Sequence, residues 1–143
     1  MLRRREIPDF VYDPSLVLYM PLWKRDGTSF VSDDAYGHLA TVTGALWTPQ
    51  GRTFDGTDDF ISAGNAAPLD TLAGAFSLEC WYKETVQAAN RGIVIKGEIN
   101  VTSTPTSWHL WDNSGTLAFA VYDDTNNARI GYWNTALTAN VWY

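Results

Sequence analysis

Cys80 is the only cysteine of the chain, so no intrachain disulfide can form and cysteine does not fix the redox compartment. It alternates with Phe76, Leu78 and Tyr82, the setting of a small buried hydrophobe, and no local basic group is present to activate its thiol. No stretch approaches the ~20 consecutive apolar residues of a spanning helix. Pro8 and Asp9 interrupt the apolar residues near the N-terminus, so neither membrane insertion nor a signal peptide is expected. Charged residues are few, at 18%, and basic ones fewer. With Arg3, Arg4 and Arg5 set aside, 7 basic stand against 16 acidic residues, leaving −9. Such a body repels a phosphate backbone, so nucleic acid is not an expected partner. The arginine run reads as a solvated terminus.

Catalytic patterns are missing too. His38 and His109 have no histidine or cysteine companions at zinc-ligand spacing. There is no Gly-x-Ser-x-Gly elbow and no phosphate-binding glycine loop. The glutamates are Glu6, Glu79, Glu84 and Glu98, and none heads a run of carboxylates. A retaining glycosidase needs two carboxyls about 5–5.5 Å apart. Asp55 and Asp59 are the nearest pair, but they bracket a turn at Gly56 and Thr57. No catalytic residue is assigned, and the chain reads as a non-enzyme. His109 alternates with Trp108 and Leu110, as a strand histidine satisfied by a backbone partner would.

What is abundant is aromatic: 14% of the chain, with seven tryptophans, in a composition 45% hydrophobic over 143 residues. That length suits one globular domain with a two-layer core. Aromatic and β-branched residues fit a pleated, half-buried surface better than a helix. Residues 1–15, with their charges, Pro8 and Pro14, read as an N-terminal arm, and residues 16–143 as the domain. Strands are expected at Leu16–Trp23, ending by Pro21 or lying at an edge, and in short pieces at Leu39–Val42, Ala45–Trp47 and Arg52–Phe54. Further strands follow at Phe60–Ile61, Ala75–Lys83, Gly92–Lys96, Ser107–Asp112, Thr116–Tyr122 and Ala128–Trp133, with a start at Val141. Residues 24–37 read as acidic loop, and residues 65–74 allow one helical turn at most. The clearest strand, Ala75–Lys83, puts Phe76, Leu78, Cys80 and Tyr82 on one face and Ser77, Glu79, Trp81 and Lys83 on the other. Asn113, Ser114 and Gly115 make a hairpin connection, with Gly supplying a positive φ. Short, closely spaced strands indicate an all-β sandwich or barrel, with aromatic side chains filling the space between layers.

The segments LVLYMPL at 16–22, FDGTDDFI at 54–61, FSLECWYK at 76–83, IVIKG at 93–97, GTLAFAV at 115–121 and LTANVWY at 137–143 resemble laminin-G-like domains of the concanavalin A-like lectin and glucanase superfamily. They occur in that family's order, over roughly residues 16–143. The resemblance implies an antiparallel two-sheet β-sandwich, a jelly roll. Family members continue past the position of Tyr143 with further strands, so the sandwich is expected to be C-terminally incomplete or completed by another chain. An uncompleted sheet edge would invite pairing.

The implied function is a non-catalytic binding or adhesion module for a carbohydrate or protein ligand, extracellular or on a virion, since viral structural proteins carry such domains without export signals. Two alternatives stand beside it: a capsid, tail or filament assembly protein whose N-terminal arm reaches a neighbour, and a fragment of a glycoside hydrolase. Partners in these readings are a glycan or protein ligand, another copy of the chain, or a strand-completing chain. The candidate ligand-binding residues are Trp111, Asp112, Asp123, Asp124, Asn126 and Trp133. Trp111 adjoins the hairpin and Trp133 the following turn, where an exposed ring could stack on a sugar; burial in the core is the plainer reading of each. Trp108 and Trp111 must fall on opposite faces of their strand, and Trp23 and Trp81 are expected to pack in the core. Asp123, Asp124, Asn126 and Asn127 gather oxygen ligands on one loop, suited to calcium as cofactor or to a solvated hairpin tip. Asp55, Asp58 and Asp59 read as a structural turn, their side chains bonded to local backbone.

Overall fold

The computed structural model describes residues 13–70, 75–87, 90–97, 108–122 and 128–143. They are nearly all β, every strand pair is antiparallel, and none of their helices is long and apolar enough to cross a membrane. The chain divides into two compact units, Met1–Ala73 and Gly74–Tyr143.

In the first unit β1 (Ser29–Val31), β2 (Leu39–Thr43) and β5 (Phe60–Ser62) form a sheet in the order β1-β2-β5, and β3 (Leu46–Thr48) pairs with β4 (Gly51–Thr53) as a hairpin. One turn of helix, α1 (Ala67–Asp70), follows. Two-residue alternation sorts the sheet. Phe30 opposite Ala40 is buried, while Val31 opposite Leu39 stays exposed. The Arg52 guanidinium crosses from β4 to donate to the carbonyls of Ala45, Arg25 and Gly27, and lies 6.0 Å from the Phe30 ring centroid.

β1 falls inside the stretch that reads as acidic loop. Its strand signal is only Ser-Phe-Val, and a side-chain-built turn brings it against β2. Asp34 accepts from the N–H groups of Tyr36 and Gly37 at 2.9 and 3.1 Å and from Tyr19 N–H at 2.9 Å. His38 N–H donates to Ser32 Oγ and its Nε2 bonds Val17 O, both at 2.8 Å. These same bonds explain why 16–23 forms no strand. Tyr19 N–H goes to a carboxylate and Tyr19 O accepts from the turn residue Asp33, so turn atoms occupy what a ladder would use.

The second unit holds a four-stranded sheet, β6 (Arg91–Lys96), β7 (Trp108–Asp112), β8 (Thr116–Tyr122) and β9 (Ala128–Ala136), in sequence order. The β7–β8 hairpin turns through Asn113–Gly115, where Ser114 and Gly115 take φ of 55° and 84° and Asn113 N–H reaches Thr116 O at 2.7 Å. One sheet face, called inner here, carries Trp108, Leu110 and Asp112 beside Val121, Phe119 and Leu117. Phe76 packs on it, its ring centroid 5.6 Å from Trp108 and 5.9 Å from Phe119.

Residues 75–84 thus lie extended over the inner face. Their burial alternates as expected, with Phe76, Leu78, Cys80 and Tyr82 half-buried and Ser77, Glu79, Trp81 and Lys83 exposed. They form no assigned strand, because alternation sets which way side chains point but supplies no ladder partner. Their backbone bonds go to the last residues: Tyr82 and Tyr143 exchange N–H···O bonds of 3.0 and 2.9 Å, and Asn140 N–H donates to Glu84 O at 2.7 Å.

The tryptophans correct the expectation of an aromatic-filled interior. Trp23 and Trp81, expected in the core, are 44% and 74% exposed, and Trp47, Trp133 and Trp142 are exposed as well. Trp23 and Trp81 sit in segments without a strand ladder. Small residues complete the buried positions instead, among them Ala40, Ala45, Ala118 and Ala120.

Candidate outer-face binding site

The outer face of the four-stranded sheet is assembled by strand register. Gly92, Trp111, Ala118 and Tyr132 are successive partners across β6 to β9, and Ile95, His109, Ala120 and Ile130 form the next row. Ala118 and Ala120 are 1% and 0% exposed, so larger residues carry the surface: Ile95, Ile130 and Tyr132 are exposed and Trp111 is partly so. Tyr122 packs its ring 5.2 Å from that of His109.

His109 lies buried beneath this face. Its Nε2 is buried and has no hydrogen-bond partner, in contrast to the satisfied strand histidine expected there. Burial pushes the imidazole below its ordinary pKa, which keeps it neutral at pH 7, with a nitrogen able to donate or accept. His38 differs: its Nε2 is committed to Val17 O, and it belongs to the Asp34 turn.

The predicted site residues separate. Trp111 and Asp112 are adjacent in sequence and therefore face opposite sides of the sheet, as do Trp108 and Trp111. Asp112 is fully buried, its Oδ1 accepting Gly115 N–H at 2.6 Å, so it is not a solvent-facing ligand residue; strand alternation turned it inward. Trp133 lies where β9 has two more residues than β8 between partners Ala118–Tyr132 and Thr116–Ala136, and is 60% exposed. Asp123, Asp124, Asn126 and Asn127 lie outside the described residues. Tyr132 and Tyr122 escaped sequence reading, and His109 was read only as a satisfied strand histidine, because which face a residue takes is fixed only once the strand register is known.

The acidic loop of the first unit is built as a turn. Asp55 Oδ1 accepts from Thr57 N–H at 2.7 Å and Asp58 N–H at 3.4 Å, and Asp59 Oδ2 accepts from Asp55 N–H at 2.8 Å. Asp55, Asp58 and Asp59 have carboxylate oxygens within 4.8 Å of one another, and Asp55 and Asp58 are exposed. The Thr57 N–H bond, foremost, holds the Asp55 carboxyl below its usual range. Comparison with family models, curated proteins and solved structures gives no match.

Proposed function

We propose that the chain is a non-catalytic binding module of the laminin-G-like, concanavalin A-like jelly-roll type that holds a carbohydrate on the outer face of its four-stranded sheet. The observation that carries this reading is the row Trp111–Ala118–Tyr132, which sets two aromatic residues on neighbouring strands with a small residue between them. An exposed ring, Tyr132, and a partly exposed one, Trp111, offer area to the apolar face of a sugar at low conformational cost. The acidic body favours neutral glycans over polyanions. An extracellular or virion location follows from such a ligand, and calcium on the 123–127 loop belongs to the same proposal.

A glycan array probed with and without chelator tests it. Binding that falls at least tenfold in Trp111→Ala and in Tyr132→Ala, with folding intact, is the expected result; chelator sensitivity would add the calcium site. Absence of binding to every glycan would overturn it. The second reading is a structural assembly protein, favoured by the cross-strand pair Val31 and Leu39, 49% and 62% exposed on the first unit's sheet. Concentration-dependent self-association measured by light scattering, lost in Leu39→Lys, would select it.

A further inference from the structure

Glu84 and Asp112 bring two carboxyl groups together beneath the inner face of the second unit, 4% and 0% exposed. One oxygen of each is held by a donor. The Tyr82 hydroxyl donates to Glu84 Oε2 at 3.2 Å, and Gly115 N–H donates to Asp112 Oδ1 at 2.6 Å. The other two oxygens, Glu84 Oε1 and Asp112 Oδ2, are buried with no donor, and the side chains lie within hydrogen-bond reach of each other. Two buried carboxylates in contact repel, whereas one proton between them turns repulsion into a charge-assisted O–H···O⁻ bond.

Few other groups act on the pair. Arg91 is register partner to Asp112 across β6 and β7 and, among the described residues, is the cation that bears on Glu84. Among the described residues it makes no ion pair with either carboxyl. β8 sets Leu117 opposite Asp112, and the 137–143 segment contributes the Asn140 backbone N–H to Glu84 O. The Tyr82 hydroxyl is pushed up, first by burial and then by the Glu84 carboxylate, and so stays a donor.

We propose that Glu84 and Asp112 form a proton-binding site, in which a proton on Glu84 Oε1 is shared with Asp112 Oδ2 and locks the 75–87 segment onto the β7–β8 hairpin. Burial first, and Asp112 second, raise Glu84 from its ordinary value of 4.5. The stabilisation from a raised pKa is complete below the unfolded value and is lost as pH climbs through the folded one. The lock therefore weakens with alkali, by up to about tenfold in the unfolding constant per pH unit.

The test is urea unfolding of the intact chain from pH 4.5 to 8.5, wild type beside Glu84→Gln, which carries the proton's equivalent permanently. The ratio of wild-type to variant unfolding constants is expected to climb at least tenfold over that range. Carboxyl carbon NMR of the wild type needs no variant to fold: the Glu84 carbon should titrate clearly above 4.5, and nearer 4.5 in Asp112→Asn. Ionisation of wild-type Glu84 at its ordinary value, or a pH-independent ratio, would overturn the proposal. So would calcium chloride stabilising the wild type tenfold at pH 8 with no effect on Glu84→Gln, which would make the pair a cation site.

Discussion

The Asp59 carboxylate stands where a β-carbon on Gly44 would have to be, and Gly44 itself has a φ of +71°. Two reasons for glycine therefore coincide at the end of β2. Gly44→Ala should cost about 2–4 kcal/mol, combining left-handed backbone strain with overpacking. Adding Asp59→Ala should recover the steric part only. A double-mutant cycle by chemical denaturation checks this, and strictly additive losses would contradict it.

Arg52 fixes the β3–β4 hairpin to the loop before β1 through the Arg25 and Gly27 carbonyls and to the β2–β3 connection through that of Ala45. Arg52→Ala should lose about 3 kcal/mol, within the range for charged donors to backbone acceptors. Arg52→Lys should restore less than half, since a single ammonium cannot reproduce the planar fork. Denaturation midpoints of both variants decide the matter.

Asp34 contributes to the acid sensitivity of the first unit. Burial works to raise its carboxyl, but bonds from Ser32 and from the N–H groups of Tyr19, Gly37 and Tyr36 outweigh it and leave the group below its usual 3.8. A lowered pKa contributes stability that is present above 3.8 and lost as pH falls through the folded value. Unfolding followed from pH 5 to 2 should show this loss in the wild type and a shallower one in Asp34→Asn. At pH 7 the variant should be weaker by about 1–3 kcal/mol.

Asn140 takes a φ of 65° while donating its N–H to Glu84 O. Asparagine tolerates that region and β-branched residues do not. Asn140→Val should lower stability by about 1–2 kcal/mol, and Asn140→Gly should be close to neutral, as read by thermal unfolding.

Strand content was legible wherever alternation and turn chemistry coincided. Thr116–Tyr122 is a strand with the bounds its pattern implied, and the hairpin at Asn113–Gly115 uses the expected positive φ. The alternation of 75–83 correctly divided Phe76, Leu78, Cys80 and Tyr82 from Trp81, yet said nothing of hydrogen-bond partners, which are distant in sequence. β1 was illegible because Asp34 and His38 create its turn through side-chain bonds that leave no hydrophobic period. Trp111 was legible as a candidate and Asp112 was misplaced for one reason: proximity to a hairpin in sequence does not say which face a residue takes. His109 Nε2 could not be found without coordinates, since an unmet hydrogen bond leaves no mark in a sequence.

The irregularity between Gly92 and Val94 decides the electrostatics of the inner layer. Partner numbers along β6 and β7 sum to 203 for Arg91–Asp112 and Gly92–Trp111 but to 204 from Val94–Leu110 onward, so the strand holds one surplus residue. That surplus reverses parity. If Ile93 were instead drawn into an unbroken alternation from Val94, Arg91 would fall on the outer face with Trp111 and the acid pair would lose its register-partner cation; the bulge keeps Arg91 on the side of Asp112.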